Sequence, residues 1–168
     1  QIAKLEHPIS GWLGHARPFG FEDAYEPDPG IARWRTSSPS ILALSALDGA
    51  VDAYEGVDMA AVEAKAGRLG DILLERADAL GLEAACPPKG ARRGGHVVIR
   101  HQHGYAIVQA LIARGIIGDF RAPDLMRFGF NPLYNSFEEV FLAGEALAEV
   151  IETCEWDRPE FRAKKAVT

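Results

Sequence analysis

The sequence predicts an α+β fold: a short sheet of about three strands covered by helices, preceded by an irregular N-terminal arm. Three observations point to it. Four stretches repeat apolar residues at three- and four-residue spacing, as helices do. Three short runs of β-branched or aromatic residues lie among them. Residues 1–38 instead carry Gly, Pro and aromatics with little periodicity, which reads as loops.

The first helix is expected from Ile41, where Leu44, Leu47, Val51 and Tyr54 continue one stripe and Ser45, Asp48 and Asp52 lie between. Ser38-Pro39 fits its start, with Ser38 as N-cap and Pro39 in the first turn. A second helix runs from the capping candidate Asp58 to Leu80, with Val62, Ala66, Leu69, Leu73 and Ala77 on its apolar face and Gly81 as its stop. After the turn-rich Cys86-Pro87-Pro88-Lys89-Gly90, the branched residues of His96–Arg100 predict a strand. Gly104–Arg114 has helical spacing at Tyr105, Val108, Leu111 and Ile112, with Gly115 behind it. Ile116–Phe120 and Leu125–Phe130 read as two further strands. The last helix carries a capping box, Ser136-Phe137-Glu138-Glu139, and a face of Phe137, Val140, Phe141, Gly144, Leu147 and Ile151. Beyond Cys154 the polar tail is expected to fray. The division expected is therefore an arm (1–38), a small domain (39–153) and a tail (154–168).

With 168 residues, 48% of them hydrophobic, the chain can close one core and carry an extra arm. The balance of 24 acidic against 18 basic residues argues against a dedicated nucleic-acid binder. Between Lys89 and Arg127, however, seven basic residues face two acids, a local net of +5 in a chain of net −6. A basic segment in an acidic chain suits a small anionic ligand. Cys86 and Cys154 stand alone, which fits a reducing cytoplasm. No apolar run is long enough to cross a bilayer, and no signal peptide is visible. Gln1-Ile2-Ala3-Lys4 reads as the middle of something, so a truncated amino end is expected.

Arg127 is the first candidate site residue. In the strand from Leu125, Met126, Phe128 and Phe130 share one face, and Arg127 shares the other with Leu125 and Gly129. The phenylalanine face is the core, so the guanidinium looks into whatever lies opposite, and Gly129 leaves room for a ligand. An unpaired guanidinium in that setting is costly unless a carboxylate or phosphate meets it. The residues alone leave two readings: an anion anchor, or a surface arginine on an edge strand.

Trp12, between Gly11 and Gly14, either plugs its own core or stacks on a planar ligand or a partner's site. Thr36-Ser37-Ser38 precedes a helix. Such hydroxyls are usually caps, yet the same arrangement can hold a phosphate through free N–H groups and the helix dipole. His101 and His103 would share a strand face, but no third metal ligand is evident and a surface pair is the better reading. His15 and His96 read as satisfied core or loop histidines. No Ser-His-Asp order, phosphate loop, GxGxxG or HExxH occurs, and no lysine sits in an apolar setting.

Ser10-Gly11-Trp12-Leu13-Gly14-His15, Arg92-Arg93-Gly94-Gly95-His96-Val97, Gly104-Tyr105-Ala106-Ile107-Val108-Gln109-Ala110-Leu111 and Arg127 through Phe137, in that order, resemble the carboxy-terminal part of the kynureninase family. These are pyridoxal-phosphate enzymes of the aminotransferase-like fold. The resemblance covers Pro8 to about Ile151, and the Gly-Trp-x-Gly-His element is its more specific marker. The Arg127–Tyr134–Asn135 segment is shared with related aminotransferase-like families.

The resemblance implies a small C-terminal domain of that fold. It also implies cytoplasmic, hydrolytic cleavage of L-kynurenine or 3-hydroxykynurenine to (hydroxy)anthranilate and L-alanine in tryptophan catabolism. By position it assigns the substrate's α-carboxylate to Arg127 and the cofactor-phosphate region to Trp12 and Ser38, in a homodimer whose active site is shared across the interface. At Ser38 relatives carry Asn or Thr. The family's Schiff-base lysine, and the Asp and His that support the pyridine ring, have no counterpart among this chain's motifs, so the chain alone is expected to be inactive. Two other readings stand beside this one: another aminotransferase-like enzyme, such as a cysteine desulfurase relative, and a non-catalytic domain binding an amino acid or a partner.

Overall fold

The computed structural model describes residue 5 and residues 7–164. Its contacts divide the chain into two units, one ending at Gly56 and the other beginning at Val57.

The first unit is built from short turns at Trp12–Gly14 and Ile31–Trp34 and one helix, α1, Ile41–Asp52. Two of its glycines, Gly11 and Gly14, are dictated by crowding. A Cβ on Gly11 would lie 1.8 Å from the Thr36 carbonyl oxygen, and one on Gly14 would lie 2.6 Å from that of Arg33. The Gly-Trp-Leu-Gly turn is thereby pressed onto residues 33–36. His15 is buried and fully engaged: its Nδ1 accepts from the Arg17 N–H at 2.8 Å and its Nε2 meets the Ala24 carbonyl at 3.2 Å. That bears out the satisfied-histidine reading.

The N-cap of α1 is Ser40, whose hydroxyl accepts from the Ala43 N–H, and not Ser38. Pro39 therefore precedes the cap instead of occupying the first turn. The helix lies where its periodicity put it, but its stripe is not covered: Leu44 is 50% and Leu47 58% exposed.

The second unit is a two-layer α+β domain. A three-stranded antiparallel sheet runs in the order β1 (His96–Arg100), β3 (Leu125–Gly129), β2 (Asp119–Arg121). Helices α2 (Met59–Ala79), α3 (Gly104–Ala113) and α4 (Phe137–Glu152) pack on one face of it. Leu69, Leu73 and Ala77 of α2 meet Val97 and Ile99 of β1, Met126 and Phe128 of β3, Ile107 and Leu111 of α3, and Leu147 and Val150 of α4. Val97 lies opposite Phe128 and Ile99 opposite Met126, so the inward residues of the two strands are in register.

Helix boundaries follow local chemistry. Asp58 caps α2, accepting from the Ala60 N–H at 2.9 Å, and Gly81 ends it at φ +69°. Ser136 and Glu139 close the expected capping box on α4 at 3.1 and 2.7 Å.

Three expectations shift. Ile116 and Ile117 are not strand but the exit of α3: the Ile116 N–H returns to the Leu111 carbonyl around Gly115 at φ +83°, and β2 begins only at Asp119. Phe137 and Phe141 are 47% and 56% exposed instead of buried, because Val140, Gly144, Leu147, Ala148 and Val150 form the inner face of α4. The segment after Cys154 does not fray at once. It forms a turn at Glu155–Asp157 and a short helix, α5 (Pro159–Arg162), with Trp156 and Phe161 against the core and Glu155 paired to Arg114.

The loop before β1 is tied down by charge. Arg93, with its side chain only 3% exposed, reaches Asp71 at 2.5 Å, the Gly67 carbonyl at 2.7 Å and the Pro88 carbonyl at 3.0 Å. The Gly90 N–H donates to the same Asp71 oxygen at 3.2 Å. Desolvation pushes the Asp71 carboxyl up, but the hydrogen bonds from Arg93 and Gly90 outweigh it and hold the group below the ordinary range.

Candidate anion site on the open sheet face

The alternation of β3 sorts its side chains: Met126 is fully buried and Phe128 nearly so, while Leu125, Arg127 and Gly129 point away from the helices. Register then places Arg127 in the middle of that outer face, opposite Val98 of β1 on one side and Asp119 of β2 on the other.

The guanidinium meets the carboxylate side-on, Nε donating to Oδ1 at 2.7 Å and Nη2 to Oδ2 at 2.5 Å. Arg121 stands 3.4 Å from the same Oδ2. The hydrogen bond from Arg127 holds the Asp119 carboxyl below its ordinary pKa, against a smaller opposing effect of desolvation; the same bond raises Arg127.

In front of the pair lies an open hollow of about 420 Å³, lined by His96, Ile117, Gly118, Asp119, Arg127 and Gly129. A Cβ on Gly129 would meet nothing within 4 Å, so the approach along β3 is clear. Arg127 is thus neither buried without a partner nor free in solvent. It is paired along one edge, and no described residue engages Nη1. Two bases and one acid leave the trio at net +1, which suits a monoanion of carboxylate size.

Trp12 and Ser38 belong to the first unit. The indole is 49% exposed and stands edge-on to Phe19 at 5.5 Å, so it does not plug a core. Because Ser40 caps α1, the Ser38 hydroxyl is left exposed and without a described partner. Gly11, packed on Thr36, brings Trp12 and the segment of Ser38 to the same end of this unit.

The two groups fit the flank of a phosphate, each offering one neutral donor. The hollow beside Trp12 does not fit the phosphate itself, since Glu22 and Asp23 line it and its Arg17 is already bound to Glu22 and Glu26. Of the lysines, Lys65 donates to the Pro132 carbonyl at 2.7 Å, and neither Lys89 nor Lys164 lines the hollow at Arg127 or the one at Trp12. Lys4 and Lys165 lie outside the described residues.

The remaining candidates resolve differently. His101 and His103 sit in the turn that opens α3, past the end of β1. The His103 ring stacks on Trp156 at 4.0 Å, and the His101 Nδ1 accepts from the His103 N–H. His96 is exposed at the start of β1, on the rim of the Arg127 hollow. The residue that sequence reasoning missed is Asp119. Its place in a run of apolar residues gave no sign of a partner eight positions on; only strand register does. Arg93 was noticed solely as part of a motif, and its partner Asp71 lies on a separate helix.

Comparison with known proteins places the chain beside one family. Residues 62–147 match the family model described as kynureninase C-terminal domain. The chain is 41% identical, over 98% of its length, to kynureninase of Pseudomonas fluorescens. It is equally similar to the kynureninases of Burkholderia mallei (strain SAVP1) and Burkholderia pseudomallei (strain K96243). It spans about 40% of the length of these relatives.

Proposed function

This chain belongs to the kynureninase family through its carboxy-terminal domain, and from that premise we propose that it is part of a hydrolase cleaving L-kynurenine or 3-hydroxykynurenine to (hydroxy)anthranilate and L-alanine. The complete protein would act in tryptophan catabolism as a cytoplasmic, pyridoxal-phosphate-dependent homodimer with an active site shared across the interface.

One observation carries the reading: an arginine on the open face of the sheet, held along one edge, with its other N–H groups engaged by no described residue over a hollow that can admit an amino acid. Arg127 would bind the α-carboxylate through Nη1 and Nη2, orienting the substrate's α-carbon. The Trp12 indole N–H and the Ser38 hydroxyl would donate to the cofactor phosphate. Pyridoxal phosphate, when bound, supplies the electron sink for bond cleavage next to the α-carbon. Among the described residues no lysine is placed to carry the cofactor, so that amine would come from the part of the relatives' length that this chain does not span.

The test is the full-length enzyme with Arg127→Ala. Loss of a charge-assisted bidentate contact should weaken L-kynurenine binding about ten- to a hundredfold while cofactor absorbance is retained. Unchanged affinity would remove Arg127 from the site.

A further inference from the structure

We propose that Asp119 is a positioning residue: by occupying the Nε–Nη2 edge of Arg127 it presents the opposite edge of the guanidinium to a ligand carboxylate. The inference rests on the reading of Arg127 as the carboxylate anchor and asks what makes that anchor rigid.

A guanidinium is planar and offers two edges on which a carboxylate can sit with two parallel N–H···O bonds. Asp119 takes the side edge, at 2.7 and 2.5 Å. The end edge, made of one Nη1–H and the second Nη2–H, meets no described residue. The two carboxylates would therefore bind together on one guanidinium, without competing for the same donors.

Charge permits this. Among the described residues Asp119 is the only acid lining the hollow, and Arg121, 3.4 Å from it, offsets part of its repulsion toward an incoming anion. Backbone pairing supports it as well. Asp119 and Arg127 are register partners in adjacent strands, so the ladder itself sets the spacing of the two side chains. An arginine free on that face would spread over many rotamers, all of which a bound carboxylate would have to collapse into one.

A pair serving only to join the strands would look similar, with Asp119 44% and Arg127 35% exposed. The two roles differ in what ligands feel.

The experiment uses the full-length, cofactor-loaded enzyme, titrated with L-alanine and with L-alaninamide, which differ only at the carboxylate. Asp119→Ala and Asp119→Asn should weaken L-alanine about two- to tenfold, the cost of immobilising one freed side chain, and leave L-alaninamide unchanged. Asp119→Glu should recover part of the loss, and for L-kynurenine the rise in KM should exceed the change in kcat. The ratio of the two affinities is internal to each preparation, so a partly unfolded variant does not mimic the effect.

L-Alanine binding that is unchanged or tighter overturns the inference, since Asp119 would then be a spectator or a competitor. Equal weakening of both ligands also overturns it. An Arg127→Ala arm separates the levels. If that variant loses discrimination while Asp119→Ala keeps it, only the positioning role falls; if Arg127→Ala itself keeps discrimination, the anchor falls and the inference with it.

Discussion

Replacing either partner of the Arg93–Asp71 pair should destabilise the second unit, and by unequal amounts. Arg93→Ala leaves the Asp71 carboxylate, 12% exposed, with the Gly90 N–H at 3.2 Å as its remaining hydrogen-bond donor among the described residues. Orphaning a buried charge costs about 3–5 kcal/mol. Asp71→Asn is milder, because the guanidinium keeps the Gly67 and Pro88 carbonyls at 2.7 and 3.0 Å. Losing one charged hydrogen bond there should cost about 1.5–3 kcal/mol.

Urea unfolding of the 168-residue chain, followed by circular dichroism, measures both variants. Acid supplies a further sign. Because the folded Asp71 carboxyl is depressed below its ordinary value, its stabilising contribution is complete above about pH 4 and lost as pH falls through the lower folded value. The gap between wild type and Asp71→Asn should close over that acidic range. Arg93→Ala costing less than Asp71→Asn, or a gap that widens in acid, would refute the reasoning.

Two further outcomes follow from local geometry. Gly11→Ala should disrupt the first unit, since its Cβ would overlap the Thr36 carbonyl at 1.8 Å; Trp12 fluorescence should shift and protease cleavage near residues 33–38 should quicken. Ser136→Ala removes the hydroxyl that accepts from the Glu139 N–H at 3.1 Å and should lower stability by about 0.5–2 kcal/mol, measured by the same urea titration.

Elements whose cause is local were legible in the residues. The periods of α2, α3 and α4, the caps at Asp58 and Ser136, the stop at Gly81 and the two-faced alternation of β3 each depend on neighbours a few positions away. The outward direction of Arg127 follows from the same alternation. The start of β2 was misplaced because Ile116 and Ile117 have strand-like side chains, while the hydrogen bond from Ile116 back to Leu111 commits them to the helix exit. Likewise Ser38 with Pro39 fitted a helix start by composition, yet the helix begins at Ile41 with Ser40 as its cap.

By itself, the sequence determined the places of α1 to α4, β1 and β3, the inward face of α2 and of β3, and that one arginine would stand on the face opposite the core. Tertiary structure decided what each charge would meet: Asp119 beside Arg127, Asp71 beneath Arg93, and no cover over the stripe of α1. The physical reason is range. Side-chain periodicity is written into successive residues, whereas strand register and helix-to-loop ion pairs depend on chain segments that become neighbours only when the core closes.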